Sequence, residues 1–425
     1  MAPRIPLPPL GRGQPERPVA VLDVGTSKVS ALIALVGGEG PPRVIGSGQK
    51  PCLGLKRGTV TDFDKAEMAI RGAMDQAERA AGLQMDSVIA SFAAGNMASS
   101  MASAEIDIAG ASITPTDMVT LRQAGRAAID PGGRSVIHAL PALYTLDGLP
   151  GVESPLGLHA DRLGVDIHVV TADTPAILNF TRAVGQAHLG LAGLVASPIA
   201  ASLAVLDDEE RDIGVALIEI GAGVTSIAVH KFGIVVGVAS VPMGSADITD
   251  DIAAAFATRR SIAERLKTFD GAAVATTRDQ TDPVIIPPAV DDGSVEPLKV
   301  PRVQLINVIR TRLDMLFGEI ARALSGLGFV GPQARRVVLT GGGGDLRAIA
   351  DYAGTALGCN VRIGRPRGLA GLPTAQEGPA FATLAGLVLF AAREAGDIWH
   401  QPGSNESATS RRGLTGVFEK LWGSL

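Results

Sequence analysis

The pattern of apolar and polar positions divides the chain into two halves that open in the same way. Residues 19–34 read VAVLDVGTSKVSALIA, and residues 215–230 read VALIEIGAGVTSIAVH. Each has an apolar run, an acidic residue, an aliphatic residue, a glycine, a short loop and a second apolar run, which predicts a β-hairpin. Asp23 then corresponds to Glu219, and Gly25 to Gly221. The repeat predicts two duplicated domains that face each other.

Other periodic segments predict the helices and strands around these hairpins. Residues 64–82 place small apolar residues at helical spacing and end at Gly82, a favourable C-cap. We predict strands at 87–94 and 165–172. We predict one helix with Thr174 as its N-cap, further helices over 247–268, and a long helix over about 302–324. Residues 335–358 predict a strand, a glycine loop and a helix. The chain is therefore expected to adopt an α/β fold.

An insertion of about residues 96–164 separates two predicted strands of the first half. Its segments EIDIAG, TPTDMVTLRQAGRAA and RSVIHALPALYTLDG predict a strand–helix–strand subdomain. The predicted organisation is a disordered Pro-rich arm (1–18), a first domain with this insertion (19–210), a second domain (211–395), a flexible linker (396–412) and an amphipathic helix (413–425).

Composition narrows the classes of protein to which the chain could belong. The 425 residues carry a net charge of -5, which argues against a nucleic-acid-binding protein. Cys52 and Cys359 are the only cysteines, so no disulfide framework or zinc site is expected. The N-terminal residues lack the apolar core of a signal peptide, and the apolar run 381–392 is too short to span a bilayer. We expect a cytoplasmic protein whose membrane contact is peripheral.

Three glycine loops predict a nucleotide site. Tight turns with glycines and hydroxyls direct backbone N–H groups towards an anion, and an acidic residue before such a turn can hold Mg²⁺ through water. One such loop alone would more often be a plain turn, but two of these three are related by the repeat. The predicted ligands of ATP and Mg²⁺ are Asp23, Gly25, Thr26, Ser27 and Lys28 in the first loop, Glu219, Gly221, Ala222, Gly223 and Val224 in the second, and Gly341, Gly342, Gly343 and Gly344 in the third, with Asp23 and Glu219 as the Mg²⁺ residues.

Residues 413–425, GLTGVFEKLWGSL, predict an amphipathic helix after a linker rich in Gly, Ser and Asn. The apolar stripe follows the i, i+3, i+4, i+7 pattern and consists of Leu414, Val417, Phe418, Leu421, Trp422 and Leu425. Such a helix either lies in a membrane interface or packs on the protein's own surface. The long linker favours docking on the inner face of the cytoplasmic membrane.

The order of these motifs resembles the actin/Hsp70/sugar-kinase superfamily, with its actin-like (ribonuclease H-like) duplicated domains around a nucleotide cleft. Within it, DVGTSKV, SPIAASLAVLDDEER, DIAAAFATRRSIAERLK, VVLTGGGG and VRIGRP, together with the insertion and the tail, resemble the bacterial cell division family FtsA. The resemblance covers about residues 19–395 and the tail.

The resemblance implies an ATP-binding protein that polymerises on the inner membrane at the division septum. It implies partners, namely the C-terminal peptide of the tubulin-like protein FtsZ and later membrane proteins of the divisome. By the same resemblance, Glu264 and Lys267 would contact the adenosine, although on the residues alone they could equally be a solvated ion pair. Arg302, Arg310 and Arg312 would meet the acidic FtsZ peptide, and the alternative for each is a solvated basic face.

The chain also departs from the family pattern. Glu219 replaces an aspartate, Ala222 a glycine and Val224 a threonine, and Ser197 stands where chaperone relatives have a carboxylate that orients water. These changes predict ATP binding with slow hydrolysis. A pilus-assembly ATPase and a metabolic kinase of the same superfamily remain alternatives, but no aspartate is placed as the general base that a kinase needs, because Asp173 is expected to cap a helix. A chaperone would need a further peptide-binding domain.

Overall fold

The computed structural model describes residues 15–152, 154–289, 296–331 and 334–393. Its strands are β1 (Arg17–Val24), β2 (Lys28–Val36), β3 (Arg43–Pro51), β4 (Leu55–Lys56), β5 (Thr59–Val60), β6 (Ser87–Phe92), β7 (Ala98–Asp107), β8 (Ser135–Leu146), β9 (Leu149–Val152), β10 (Arg162–Ala172), β11 (Gly190–Ala196), β12 (Val215–Ile220), β13 (Thr225–Lys231), β14 (Ile234–Val241), β15 (Pro283–Ile286), β16 (Leu298–Pro301), β17 (Arg336–Thr340) and β18 (Asn360–Ile363). Its helices are α1 (Phe63–Ala81), α2 (Pro115–Ala127), α3 (Thr174–Gln186), α4 (Ser197–Val205), α5 (Asp208–Ile213), α6 (Ser245–Ala255), α7 (Arg260–Phe269), α8 (Arg302–Gly326), α9 (Ile349–Leu357) and α10 (Ala382–Ala391).

The two halves contain sheets of the same topology. The first has the order β11-β6-β1-β2-β3, and the second has the order β18-β17-β12-β13-β14. In each, three consecutive strands run antiparallel and two later strands add in parallel at the first of the three. The predicted fold class, duplicated actin-like α/β domains with an inserted α+β subdomain, is confirmed.

The insertion forms its own sheet, with the order β7-β10-β8-β9 and α2 packed against it. We predicted that the strand at 165–172 belongs to the first domain, but β10 pairs with β7 and β8 instead. The side chains of β10 contribute to two separate cores. Val165, Ile167 and Val169 join the core of the insertion, while Val170 and Ala172 join that of the first domain. The inserted sheet therefore continues to Ala172 rather than ending near residue 164.

The first turn of α3 also differs from the prediction. Asp173, not Thr174, occupies the N-cap, and its side chain makes no capping hydrogen bond. The Asp173 carboxylate instead forms an ion pair with Arg134 at 2.6 Å. This pair lines a cavity of about 630 Å³ at the junction of the insertion and α3, and Arg57, in the turn between β4 and β5, lines the same cavity.

Two helices join the domains. Helix α10 packs on β1 and β2 of the first sheet through residues such as Leu384 and Val388. Helix α4 packs on β12 and β13 of the second sheet. The two helices cross where Gly386 meets Ala200: a Cβ on Gly386 would lie 1.8 Å from the Ala200 carbonyl oxygen. The apolar run at 381–392 is thus a buried core helix, as its length predicted.

Among the residues that the structure describes, no helix is both long enough and apolar enough to cross a membrane.

The crossing at Gly386 predicts a large cost for any side chain there. We expect Gly386→Ala to lower the free energy of unfolding by about 1–3 kcal/mol, because the methyl group must push α4 and α10 apart. Gly318→Ala is the matched control: it lies inside α8 with nothing within 4 Å of its Cβ position, and it should stabilise by about 0.5–1 kcal/mol. Urea unfolding measures both. Equal stabilities of the two variants would contradict the tight crossing.

Candidate nucleotide site between the two domains

The first and second glycine loops form the same turn. In β1–β2 the Gly25 N–H donates to the Lys28 carbonyl at 3.0 Å, and in β12–β13 the Gly221 N–H donates to the Val224 carbonyl at 2.9 Å. A Cβ on Gly25 would lie 3.1 Å from that carbonyl oxygen, and one on Gly221 would lie 2.7 Å from its counterpart. A side chain would therefore overlap this carbonyl in the second turn and crowd it in the first, and the repeat seen in sequence holds in atomic detail.

The two turns meet across the domain junction. A Cβ on Gly223 would lie 3.0 Å from Thr26 Oγ1 and 3.1 Å from the Arg57 nitrogen. Thr26 Oγ1 accepts a hydrogen bond from the Gly58 N–H at 3.2 Å. Arg57 reaches Asp247 of the second domain at 3.5 Å. The first two loops thus form one surface, and Arg57, which the sequence analysis did not identify, connects its two sides.

Two carboxyl groups, Asp23 and Glu219, lie at the base of this surface. Ser91 Oγ donates to Asp23 at 2.6 Å, and Thr383 Oγ1 donates to Glu219 Oε1. Burial raises the pKa of Asp23. Burial, together with the charge of Asp23, raises the pKa of Glu219 to about 7. The Asp23 carboxyl group therefore stands close enough to Glu219 to oppose the ionisation of Glu219.

This pair fits a hydrated cation. Glu219 Oε2 is buried and has no partner in good hydrogen-bond geometry among the described residues, while the nearby Ser197 hydroxyl acts to lower the pKa of the carboxyl. A cation beside the pair would favour the charged form of both carboxyls, and its bound water would supply the missing donor. Two carboxylates with retained water is the arrangement that Mg²⁺ prefers in nucleotide sites.

Lys28 supplies a positive charge at the first turn. Its Nζ lies 3.6 Å from the centre of the Phe381 ring. Burial lowers the pKa of Lys28, while the charges of Asp23 and Asp345 oppose that effect. Asp345 directly follows the third glycine loop, and its charge acts on Lys28. The first turn and the third loop are therefore within electrostatic range of each other. Asp345 was not among the predicted residues.

Glu264 and Lys267 belong to a hydrogen-bonded network rather than to a solvated ion pair. Lys267 Nζ lies 2.8 Å from Glu264, 2.9 Å from Thr249 Oγ1 and 3.1 Å from the Ser245 carbonyl. The Lys267 side chain is 12% exposed and that of Glu264 is 53% exposed. Ser245 in turn donates its N–H to the Gly221 carbonyl at 2.9 Å. The predicted adenosine residues are therefore joined to the second turn, with Glu264 open to solvent.

The four glycines of the third loop have two different roles. Gly341 has φ 80°, and a Cβ on it would lie 2.6 Å from the Ile220 carbonyl oxygen. A Cβ on Gly343 would lie 2.3 Å from Ile220 Cγ2. Gly342 is exposed and its Cβ position meets nothing nearer than 3.9 Å, while that of Gly344 meets nothing nearer than 3.7 Å. Gly341 and Gly343 let the loop pack against the second hairpin, and Gly342 is the position open to a ligand.

The three arginines predicted to bind a peptide differ in their surroundings. Arg302 lies within 4.0 Å of Asp270, Asp279 and Asp282. Arg312 forms a bidentate pair with Asp251 at 2.6 and 2.7 Å. Arg310 is exposed on the same helix, α8. Of the three, Arg310 has the side chain best placed to meet an acidic partner.

The six predicted membrane residues, Leu414, Val417, Phe418, Leu421, Trp422 and Leu425, lie outside the described residues.

Sequence reasoning missed several polar residues of this site, among them Arg57, Asp345 and Thr383. Thr383 had a usable signal, since it is the only polar residue in the apolar run 381–392, and a lone hydroxyl in a core helix needs a partner. Arg57 lies in a turn and Asp345 ends a short 3-10 helix, and only the tertiary structure brings them to the site.

Comparison with known proteins agrees with this architecture. Residues 216–386 match the family model "Cell division protein FtsA", and residues 94–171 match the model of the SHS2 domain inserted in FtsA. The "Cell division protein FtsA" of Rhizobium meliloti (strain 1021) is 38% identical over 88% of this chain and 86% of its own length. That of Pseudomonas aeruginosa PAO1 is 29% identical over 94% of this chain and 95% of its own length.

Solved structures support the actin-like fold. A PilM–PilN type IV pilus biogenesis complex aligns with a TM-score of 0.60 at 20% identity, over 89% of this chain and 100% of that chain. MreB5 of Spiroplasma citri bound to ADP aligns with a TM-score of 0.53 at 14% identity, over 88% of this chain and 96% of that chain. The family resemblance predicted from the motifs is confirmed by the matches to family models and relatives: this chain belongs to the FtsA family of cell division proteins.

Proposed function

We propose that this chain binds ATP and Mg²⁺ between its two domains, polymerises on the cytoplasmic face of the inner membrane and tethers the FtsZ ring at the division septum. The observation that carries the nucleotide part is the meeting of the two repeated turns over Asp23 and Glu219. A neighbour in fold, MreB5, has been solved with ADP.

Each part of the site has a defined task in this proposal. The turns at 25–27 and 221–223 direct backbone N–H groups to the phosphates, and Lys28 adds a positive charge. Asp23 and Glu219 hold Mg²⁺ through water, and the ion would neutralise the phosphate charge. Gly342 lies against the base, and Glu264 and Lys267 contact the adenosine.

Slow hydrolysis follows from what the second turn lacks. Val224 is a buried side chain, 5% exposed, and offers no hydroxyl. Ser197 lies 3.4 Å from Ser226, and no carboxylate stands in its place to orient an attacking water. We expect a turnover well below the typical enzyme value of about 10 s⁻¹. The protein is therefore proposed to act as an adaptor first, with ATP hydrolysis as a slow secondary activity.

The metabolic-kinase alternative has no free carboxylate at the position considered for its general base. Asp173 was the nearest candidate, and its carboxylate is held by Arg134 at 2.6 Å and by the Asn96 side chain. A general base must be free to take a proton from substrate. The pilus-assembly alternative rests on fold alone, as the PilM–PilN likeness shows.

The partner surfaces are assigned by the same reasoning. Helix α8, with Arg310 exposed, is proposed to meet the acidic C-terminal peptide of FtsZ. The inserted subdomain is proposed to serve self-association and the later divisome proteins, since it projects its own sheet and borders the cavity at Arg134. Residues 413–425 are proposed to dock on lipid.

The third loop gives a test of nucleotide binding. Gly342→Val should weaken binding of ATP with Mg²⁺ by about tenfold or more, equal to about 1.4 kcal/mol, because the side chain projects where the base would lie. The thermal midpoint should not fall, since Gly342 has free space around its Cβ position. Calorimetric titration measures the affinity, with Gly318→Val as the control. Unchanged affinity would remove this loop from the site.

The raised pKa of Glu219 gives a pH dependence. A carboxyl whose folded-state pKa is about 7, against an ordinary 4.5, favours the folded protein while it is protonated. Without nucleotide or Mg²⁺, the contribution of Glu219 to the free energy of unfolding should fall by about 3 kcal/mol as the pH rises from 4.5 to 7.

Glu219→Gln should remove that part of the pH dependence, because glutamine does not ionise in this range. Urea unfolding of both proteins from pH 4.5 to 7.5, in EDTA, measures the difference. If the two proteins lose stability in parallel across this range, Glu219 does not titrate as described.

The tail gives a test of membrane docking. The double variant Phe418→Glu, Trp422→Glu should abolish binding to anionic vesicles, because two charges then lie on the apolar stripe, while ATP affinity stays unchanged. Gly416→Glu, Gly423→Glu places the same charges on the opposite helical face and should keep most of the binding. Co-sedimentation with vesicles reports the result. Retained binding of the first variant would show that another part of the chain is the anchor.

A further inference from the structure

The described chain ends beside an exposed apolar surface of the second domain. Helix α10 runs parallel to α4, since Thr383 and Ser197 both lie by Glu219 and Gly386 meets Ala200. The C-terminal end of α10 therefore lies at the C-terminal end of α4, and Leu389 belongs to the same apolar cluster as Val205 and Leu206. Arg393, the last described residue, follows directly.

Arg211 connects that point to the next element. The Arg211 guanidinium donates to the carbonyls of Ser202 and Leu206, at 2.7 and 3.0 Å. Arg393 is close enough that the charges of Arg211 and Asp208 act on it. The last described residue therefore lies within electrostatic reach of α5.

Two apolar side chains are exposed at this place, Ile213 at 48% and Phe232 at 43%. They are neighbours, because the Phe232 N–H donates to the Asp212 carbonyl at 3.1 Å and the Gly233 N–H donates to the Arg211 carbonyl at 3.2 Å. We name Ile213 and Phe232 the exit patch.

The rim of the exit patch carries charges of both signs: the Lys231 ammonium lies 4.8 Å from the centre of the Phe232 ring, and an acidic segment precedes Ile213. Asp207, Asp208 and Glu209 are all exposed in the short segment before Ile213, and the Asp208 side chain is 88% exposed. The tail carries two basic residues, Arg411 and Arg412, directly before its apolar stripe, while Glu419 and Lys420 lie off the stripe. Arg411 and Arg412 can therefore meet the acidic segment before Ile213 while the apolar stripe that follows them meets the patch.

We propose that the exit patch binds residues 413–425 of the same chain when no membrane is present. This inference rests on the proposed membrane role of that segment, and it adds the regulation of it: Phe418, Trp422 and their neighbours cannot contact the patch and lipid at once. Anionic lipid would also compete for the same Arg411 and Arg412. Residues 413–425 would then become available as an anchor only where a membrane displaces them from the patch.

The linker allows this contact. If residues 394–412 have the flexibility that their composition predicts, their average reach is about 25 Å. A tethered segment has an effective concentration of about millimolar. A contact too weak to form between two molecules is therefore populated within one, and it remains weak enough for a membrane to displace.

The chain offers a specific probe, because its two tryptophans are Trp399 and Trp422. In a Trp399→Phe background, fluorescence reports on Trp422 alone. Without lipid, we expect the emission of Trp422 to be blue-shifted relative to a synthetic peptide of residues 413–425. Adding Ile213→Ser and Phe232→Ser should return it to the peptide value. Phe269→Ser is the matched control, an apolar side chain 73% exposed on α7, and should leave the blue shift in place.

The patch variant should also bind anionic vesicles more tightly, by about twofold if half of the tails are docked at any time. Peptide-like emission in the parent protein, or a blue shift that survives in the patch variant, would overturn the proposal. A blue shift that grows with protein concentration would also overturn it, since the tail would then bind a second copy. If vesicles change neither emission nor sedimentation in any variant, the membrane proposal fails, while the lipid-free spectra still decide the docking at the patch.

Discussion

The close crossing of α4 and α10 is the contact on which the rest of the structure depends. Gly386 is the residue that permits it, because any side chain there would overlap the Ala200 backbone. Through this crossing, one helix packs on the first sheet and the other on the second. Ser197 begins α4 and Thr383 lies near the start of α10, so the same contact brings both to Glu219. The same helix contact therefore joins the two domains and positions the residues at the base of the site.

The parts of the fold that depend on local interactions could be predicted from sequence. The hairpin turns at Gly25 and Gly221 followed from the repeat, and the structure gives them the same hydrogen bond. Helices α1 and α8 followed from their periodicity, with Gly82 in a left-handed conformation at the end of α1. The partners of β10 could not be predicted this way. Its residues are buried on both faces, so the pattern gives a strand but not the sheet to which it belongs.

For the site too, features that depend on neighbouring residues could be predicted from sequence, and features that depend on distant residues could not. Glycine loops and acidic residues before a turn are visible in sequence, since the chemistry lies in neighbouring residues. Which glycines face the ligand is not visible, because Gly341 and Gly343 are required by Ile220 of another element. Arg57 is placed by its φ of 50° in a tight turn and by a partner 190 residues away. Such contacts depend on how the domains meet, and no short pattern encodes them.

The two repeated turns are alike in backbone and unequal in chemistry. The first retains two hydroxyls and Lys28, and Thr26 Oγ1 accepts from Gly58 while its own proton stays available to an anion. In the second, Val224 is buried and the Thr225 hydroxyl donates to the Met243 carbonyl at 2.9 Å, inside the domain. The second turn therefore has only backbone N–H groups to offer a phosphate. What it contributes instead is Glu219, whose extra methylene, compared with aspartate, is accommodated because Thr383 of α10 holds the carboxylate. The first domain thus supplies most of the side-chain donors for phosphate, and the second supplies a carboxylate whose position depends on the helix that joins the two domains.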